Sequence, residues 1–172
     1  MAVRKGQFSL EYYISLLIFI GFVIYLLFQV QILIPNHLRE IRVQTLRLEA
    51  YQVSELIAND GGQPNNWNEP AVADSDIKRI GLSALTEQNV LSTAKVAALD
   101  TKCRNLGYAS LRDWLDMQNQ FYIIVQDTDN TLVNTQERCP PTARIGSSTT
   151  VVVTRVVTFD SGKSGTLTLT VW

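Results

Sequence analysis

Hydrophobic positions follow three different rules along this chain. From Tyr12 to Phe28 they form a nearly unbroken block, Tyr-Tyr-Ile-Ser-Leu-Leu-Ile-Phe-Ile-Gly-Phe-Val-Ile-Tyr-Leu-Leu-Phe, which resumes past Gln29 and Gln31 through Ile32, Leu33 and Ile34. A soluble helix shows a polar face, and this segment shows none. It reaches the roughly 20 apolar residues that a helix needs to cross a ~30 Å hydrocarbon core. After Pro35 the rule changes. Val43, Leu46, Ala50, Val53 and Ile57 recur at three- and four-residue spacing, with Arg42, Arg47, Glu49 and Glu55 off that stripe. Pro35 removes a backbone donor and predicts a kink between the two halves. Asn59-Asp60-Gly61-Gly62 reads as the helix stop, glycine being suited to a left-handed cap. A helix from about Phe8 to Asn59 would extend ~75 Å at 1.5 Å per residue.

The third rule is alternation, and it governs the C-terminal part. A polar, turn-rich loop from Gly61 to Pro70 carries Trp67 and opens a second region. Ile77-Lys78-Arg79-Ile80 predicts a short strand closed by Gly81. Short helices are predicted over Thr93–Leu99, after a Ser92 cap, and over Leu111–Met117, after Ser110. Phe121–Gln126 predicts a buried strand turned by Asp127-Thr128-Asp129-Asn130 into Thr131–Val133. Ser148–Phe159 and Thr166–Trp172 flank the turn cluster Asp160-Ser-Gly-Lys-Ser-Gly165 and read as a β-hairpin with threonines outward. The predicted fold is α+β: a long N-terminal helix packed on a small antiparallel sheet with a helical insertion. Residues 1–6 are expected to form a short cytoplasmic leader, 7–34 the transmembrane half of the helix, 35–60 its amphipathic spine and 61–172 an extracellular head domain.

Charge refines the picture. The chain has 15 Lys+Arg against 16 Asp+Glu, a net charge of -1, dispersed rather than clustered, so no attraction to nucleic acid is expected. A cleaved secretory signal would carry a shorter apolar region followed by a small-x-small site. Here the run ends in Gln-Val-Gln-Ile-Leu-Ile-Pro, and the helix is expected to stay on the protein. Arg4 and Lys5 precede it, which places the N-terminus in the cytoplasm and the region after Pro35 outside. His37, Arg39, Arg42 and Arg47 on the far side pull against that orientation and fit a helix that continues in water.

Glu11 is the odd residue at the head of the span. A carboxylate deep in a bilayer costs on the order of 2.5–3.5 kcal/mol, less near the interface, so it either snorkels to water or has a partner. Lys5-Gly6-Gln7-x-Ser9-x-Glu11 before an uncharged span resembles the class III signal peptide of archaeal type IV pilin-like proteins. The resemblance implies that a membrane-embedded prepilin-type aspartic peptidase cuts between Gly6 and Gln7 on the cytoplasmic side, leaving Glu11 as the fifth mature residue. It also implies that Glu11 pairs with the new amino terminus of a neighbouring subunit and sets register in a filament core. The expected partners are that peptidase, other pilin subunits, the assembly machinery in the membrane, and lipid before assembly. The family pattern has Leu at the ninth mature position, where this chain has Ser15 followed by Leu16. A looser similarity runs through Trp67, Ile77-Lys-Arg-Ile-Gly-Leu82, Leu91, Lys95, Ala98-Leu99, Tyr108, Leu111-Arg112 and Phe121-Tyr122-Ile123, covering most of the chain before about Val125.

Candidate chemistry is sparse. Cys103 and Cys139 are the two cysteines. In an exported domain such a pair reads as a disulfide, with free buried thiols the alternative; a metal site would normally need four ligands. Asp127-x-Asp129-x-Thr131 opens like a calcium loop, but lacks the central Gly and has Arg138 where a bidentate Glu belongs. His37 is the single histidine, far in sequence from any Ser or Cys it could activate. Gly162-Lys163-Ser164 lacks the upstream Gly and following helix of a phosphate loop. No cofactor, metal or catalytic residue is therefore expected. Two function classes stand: a structural subunit of a surface filament, adhesive in some settings, and a single-span anchored exodomain that does not polymerise.

Overall fold

The computed structural model describes residues 4–84, 88–128, 130–142 and 149–172, with the side chains of 4–9 and 36 outside that description. The chain forms two compact units, Met1–Arg42 and Val43–Trp172. The first helix, α1, runs from Arg4 to Asn59 and supplies nearly all of the first unit. The helix continues through Pro35, where the sequence predicted a kink. Among the described residues, α1 is the one helix long and apolar enough to cross a membrane, and none of its apolar window is buried within the molecule.

The second unit begins with the last turns of α1. Leu46, Ala50, Val53, Ile57 and Ala58 bury on one side and join the core of the head. From Leu46 onward, the stripe legible at three- and four-residue spacing is the face that packs; Val43, at its start, is half-buried and outside the core. Then follow a 3-10 turn at Asp74–Asp76, strand β1 (Val90–Leu91), helix α2 (Thr93–Trp114), strands β2 (Phe121–Asp127) and β3 (Thr131–Asn134), the single turn α3 (Thr135–Arg138), and strands β4 (Val151–Phe159) and β5 (Ser164–Val171). The strands make one five-stranded sheet in the order β1-β4-β5-β2-β3.

That sheet is mixed, which corrects the expected antiparallel one. β1 pairs parallel with β4, Val90 against Thr158 and Leu91 against Phe159, whereas the other pairs are antiparallel. A two-residue strand leaves no alternation to read, so only tertiary structure reveals it. The predicted Ile77–Ile80 strand is a loop: Arg79 makes an isolated bridge to Gln63, and Ile77 and Ile80 both point inward. The two predicted short helices belong to one longer α2, interrupted at Gly107, where φ is 78°. Ser92 is its N-cap residue by position, but its side chain makes no cap bond. Asp160, from the β4–β5 turn, caps it instead, both carboxylate oxygens lying 3.2 Å from the Thr93 N–H.

The β-hairpin falls close to its predicted place, with Val, Leu and Phe alternating inward along β4 and β5. Ser148, at the start of its predicted range, lies outside the described residues. The threonine rule holds for Thr154 and Thr158, which are exposed, and fails at Thr170, which is buried. Val152 and Val156 instead face outward. The sheet's inner face meets the spine through specific contacts: Arg155 on β4 donates to Ser54 Oγ at 2.9 Å and pairs with Glu55 at 2.7 Å.

The first loop of the head is tied down around Trp67, which is fully buried and whose indole N–H donates to the Gly81 carbonyl at 3.0 Å. Gly81 can be nothing larger, because a Cβ there would collide with the Asp60 carbonyl, which is backbone and cannot swing away. Gly81→Ala should therefore destabilise the head by about 1–3 kcal/mol, the usual cost of forcing an extra methyl into a packed site. Denaturant unfolding of the full chain in detergent micelles measures it; an unchanged midpoint would mean this close approach is not maintained.

Candidate assembly site

The candidate site spans the first turns of α1. Lys5, Gly6, Gln7 and Ser9 have helical backbone, and their side chains lie outside the described residues. Glu11 stands exposed on the helix, four residues after Gln7. That spacing puts the two residues on one helical face, one turn apart. Tyr12 and Tyr13 follow with their rings in edge contact, centroids 6.1 Å apart. Beyond them, the large apolar residues from Ile14 to Ile34 are exposed.

Two polar groups inside that span partner each other. Gln29 Nε2 donates to the Tyr25 hydroxyl at 2.8 Å, one turn away. Such a bond spares the amide part of its desolvation cost in an apolar medium. The two side chains flank a shallow groove of about 280 Å³ with Gly21, Ile24, Phe28 and Ile32. At Gly21 an added Cβ would meet nothing, so the groove is open at its centre. Chemically this arrangement can bury apolar surface and accept a packed neighbour.

In the head, Cys103 on α2 and Cys139 at the end of α3 have their Cα atoms 5.4 Å apart with sulfurs at bonding distance. Cross-linking positions 36 residues apart restricts the unfolded chain by roughly 3.5–4 kcal/mol on the loop-entropy model. The Asp127 turn is a structural turn: the Asp127 carboxylate accepts from the Asn130 N–H and lies 3.6 Å from Lys163. Asp129 of that turn lies outside the described residues. Among the described residues, no three His, Cys, Asp or Glu side chains gather as a metal site. His37 lies on α1, exposed.

Sequence reasoning passed over several side chains that hold the head together. Lys95 is 7% exposed. Its ammonium donates to the carbonyls of Gly61 at 2.8 Å and Ser83 at 3.0 Å, and to Asn65 Oδ1 at 2.9 Å. One cation thus ties two loops to α2. Its signal was available: Lys95, Leu99 and Cys103 share one helical face at four-residue spacing, so the lysine sits on an apolar stripe. Glu49, noted in the sequence only as lying off the apolar stripe, accepts from the backbone N–H groups of Gln118 and Asn119 and from the Asn119 amide, and so fixes the loop into β2. Its alternation with buried positions gave no hint, since the partner is 69 residues away.

Compared with protein-family models, with curated proteins and with solved structures, the chain has no match.

Burial holds the Lys95 ammonium below its ordinary pKa of 10.5, opposed by the nearby Asp60 charge. The folded chain therefore releases this proton at lower pH than the unfolded chain does. Between the lowered value and 10.5 the unfolded state binds more protons, and stability rises with pH across that window. Below it both states are protonated and the burial penalty is fully present. The unfolding free energy of the wild type minus that of Lys95→Met should therefore increase on going up through this alkaline window. A decrease would show that the three acceptors stabilise the ammonium by more than burial disfavours it.

Proposed function

We propose that this chain is a structural subunit, a pilin or minor pilin, of an archaeal type IV pilus-like surface filament. The observation that carries the reading is an apolar helix left wholly unburied by its own molecule, beginning at the Gly6-Gln7-x-Ser9-x-Glu11 motif. Apolar surface on this scale requires a solvent other than water. Lipid supplies it while the subunit waits in the membrane, N-terminus cytoplasmic and head outside. Neighbouring copies of the same helix supply it once the subunits leave the bilayer.

Glu11 gives the second step its specificity. After cutting at Gly6-Gln7 by a prepilin-type aspartic peptidase, the new amine and Glu11 lie one turn apart on their own helix. In a packed core each can reach the complementary charge of a neighbour, and a pair desolvated together sets axial register between helices. The groove around Gly21 offers the next helix a place of close approach. The head, closed by a disulfide-distance cysteine pair, is the exposed part of such a filament and the part available for adhesion. No step in this function asks for catalysis by the chain.

The other reading is a single-span anchor carrying an exodomain that never polymerises; the same helix and head suit it equally. Glu11→Ala separates the two. An anchor loses an expensive carboxylate, so insertion is unchanged or improved. A filament subunit loses one side of a buried pair, which typically costs about 3–5 kcal/mol. The variant should therefore be inserted and processed to begin at Gln7, as read by mass spectrometry of the extracted protein. It should then be depleted from sheared filaments on immunoblot. Normal incorporation would remove the registering role of Glu11, and a mature chain retaining Met1 in cells with active peptidase would reject the filament reading.

A further inference from the structure

Among the described residues, one edge of the sheet is left open. β4 is paired with β5 along its whole length, but on its other side β1 covers only Thr158 and Phe159. Among the described residues, nothing pairs with β4 there from Val151 to Val157. The opposite edge, β3, is a four-residue strand, too short to template much pairing.

The register tells which groups the open edge presents. The Phe159 N–H donates to the Lys163 carbonyl across the hairpin, and the Thr158 N–H points the other way, to the Asn89 carbonyl at 2.9 Å. Antiparallel pairing alternates in this sense along the strand. The N–H and C=O groups of Val152, Thr154 and Val156 therefore point outward from the edge. Their side chains share the outer face, with Val152 58% exposed and Val156 77% exposed. An uncovered, Val-rich edge without Pro or a bulge is a template for strand addition. The usual guard would be a charge at its centre. Arg155 sits there, but its guanidinium is drawn inward to Ser54 and Glu55.

We propose that this β4 edge is a self-association surface on which two copies of the chain pair antiparallel about Thr154. The open window ends at Thr158, whose N–H is already taken, so its centre falls on Thr154. It also reads symmetrically: Val152, Thr154, Val156. A two-fold contact demands a self-complementary patch, and this one puts Val152 against Val156 of the second copy and Thr154 against itself. These three pairs close about six main-chain hydrogen bonds, with β-branched side chains opposed on the outer face. Like charges do not meet, because Arg155 falls opposite Val153. The inference stands on the head alone and does not rest on the filament reading.

Single cysteines test the register in the full chain, purified in detergent micelles and oxidised with copper phenanthroline. The two native cysteines are already bonded to each other, so any new cross-link reports the new thiol. A hydrogen-bonded antiparallel pair has Cα atoms about 5.5 Å apart, within disulfide range. T154C should therefore give a covalent dimer. V152C or V156C alone should stay monomeric, since each lies about 13 Å from its own copy, four residues along at 3.3 Å each. An equimolar mixture of V152C and V156C should cross-link. Adding Val156→Lys to T154C should abolish the dimer without moving the thermal midpoint, since that side chain is exposed. A monomeric T154C would overturn the proposal, as would equal cross-linking of all three single variants, which means collision through the helices. Cross-linking of T154C in cells only to a different protein would overturn it as well. Glu11→Ala in the T154C background should leave the dimer intact, so loss of filaments and loss of this contact are read separately.

Discussion

The structure turns on apolar surface that the chain cannot bury by itself. From Ile14 to Ile34 the large side chains of α1 are exposed, and this stretch of the helix has no polar face to turn toward water. At roughly 25 cal/mol per Å² of apolar area, an exposed run of this length carries a larger free-energy penalty than a domain's whole net stability. On the proposed reading, lipid covers the segment first and other helices cover it after assembly. Every other feature of the N-terminal unit is subordinate to that. Gln29 and Tyr25 satisfy one another because the surroundings will not, and Gly21 leaves a notch where a neighbour can come close.

The head solves the opposite problem, holding many short elements and long loops on a modest core. It does so by making single side chains serve several segments. Lys95 gathers the Gly61, Asn65 and Ser83 oxygens. Trp67 fills the space between Gly62 and Gly81 and bonds to the latter. Asp60 accepts from the Gly62 N–H and pairs with Arg79. Glu49 and Arg155 then fasten the last turns of α1 to the loop before β2 and to β4. Because these ties cluster where α1 ends, the spine and the head domain form one folded unit from Val43 onward.

Much of this was legible in the residues. The long apolar helix needed only a run of apolar residues; the buried face of the spine needed only spacing, and Leu46, Ala50, Val53 and Ile57 are all in the core. The hairpin was visible because alternation and the turn cluster around Gly162 agree. Legibility ended where structure depends on distant partners. β1 is two residues long and takes its strand character from Thr158 and Phe159. The α2 cap comes from Asp160 rather than the adjacent Ser92, 67 residues from the N–H it serves. At Ile77–Ile80, two isoleucines three residues apart were read as a strand although both are buried on one side of a loop. At the candidate assembly site the situation is reversed: the motif is plain in the sequence, while its partner on the filament reading belongs to another molecule.

The central claim is that the unburied helix ends up against copies of itself. Immunogold electron microscopy of cells carrying a tagged copy, paired with blotting of the sheared fraction, tests it most directly. On this account the label lies on surface filaments and a large share of the protein shears off with them. Label confined to the cell envelope, with all of the protein in the membrane fraction, would contradict it.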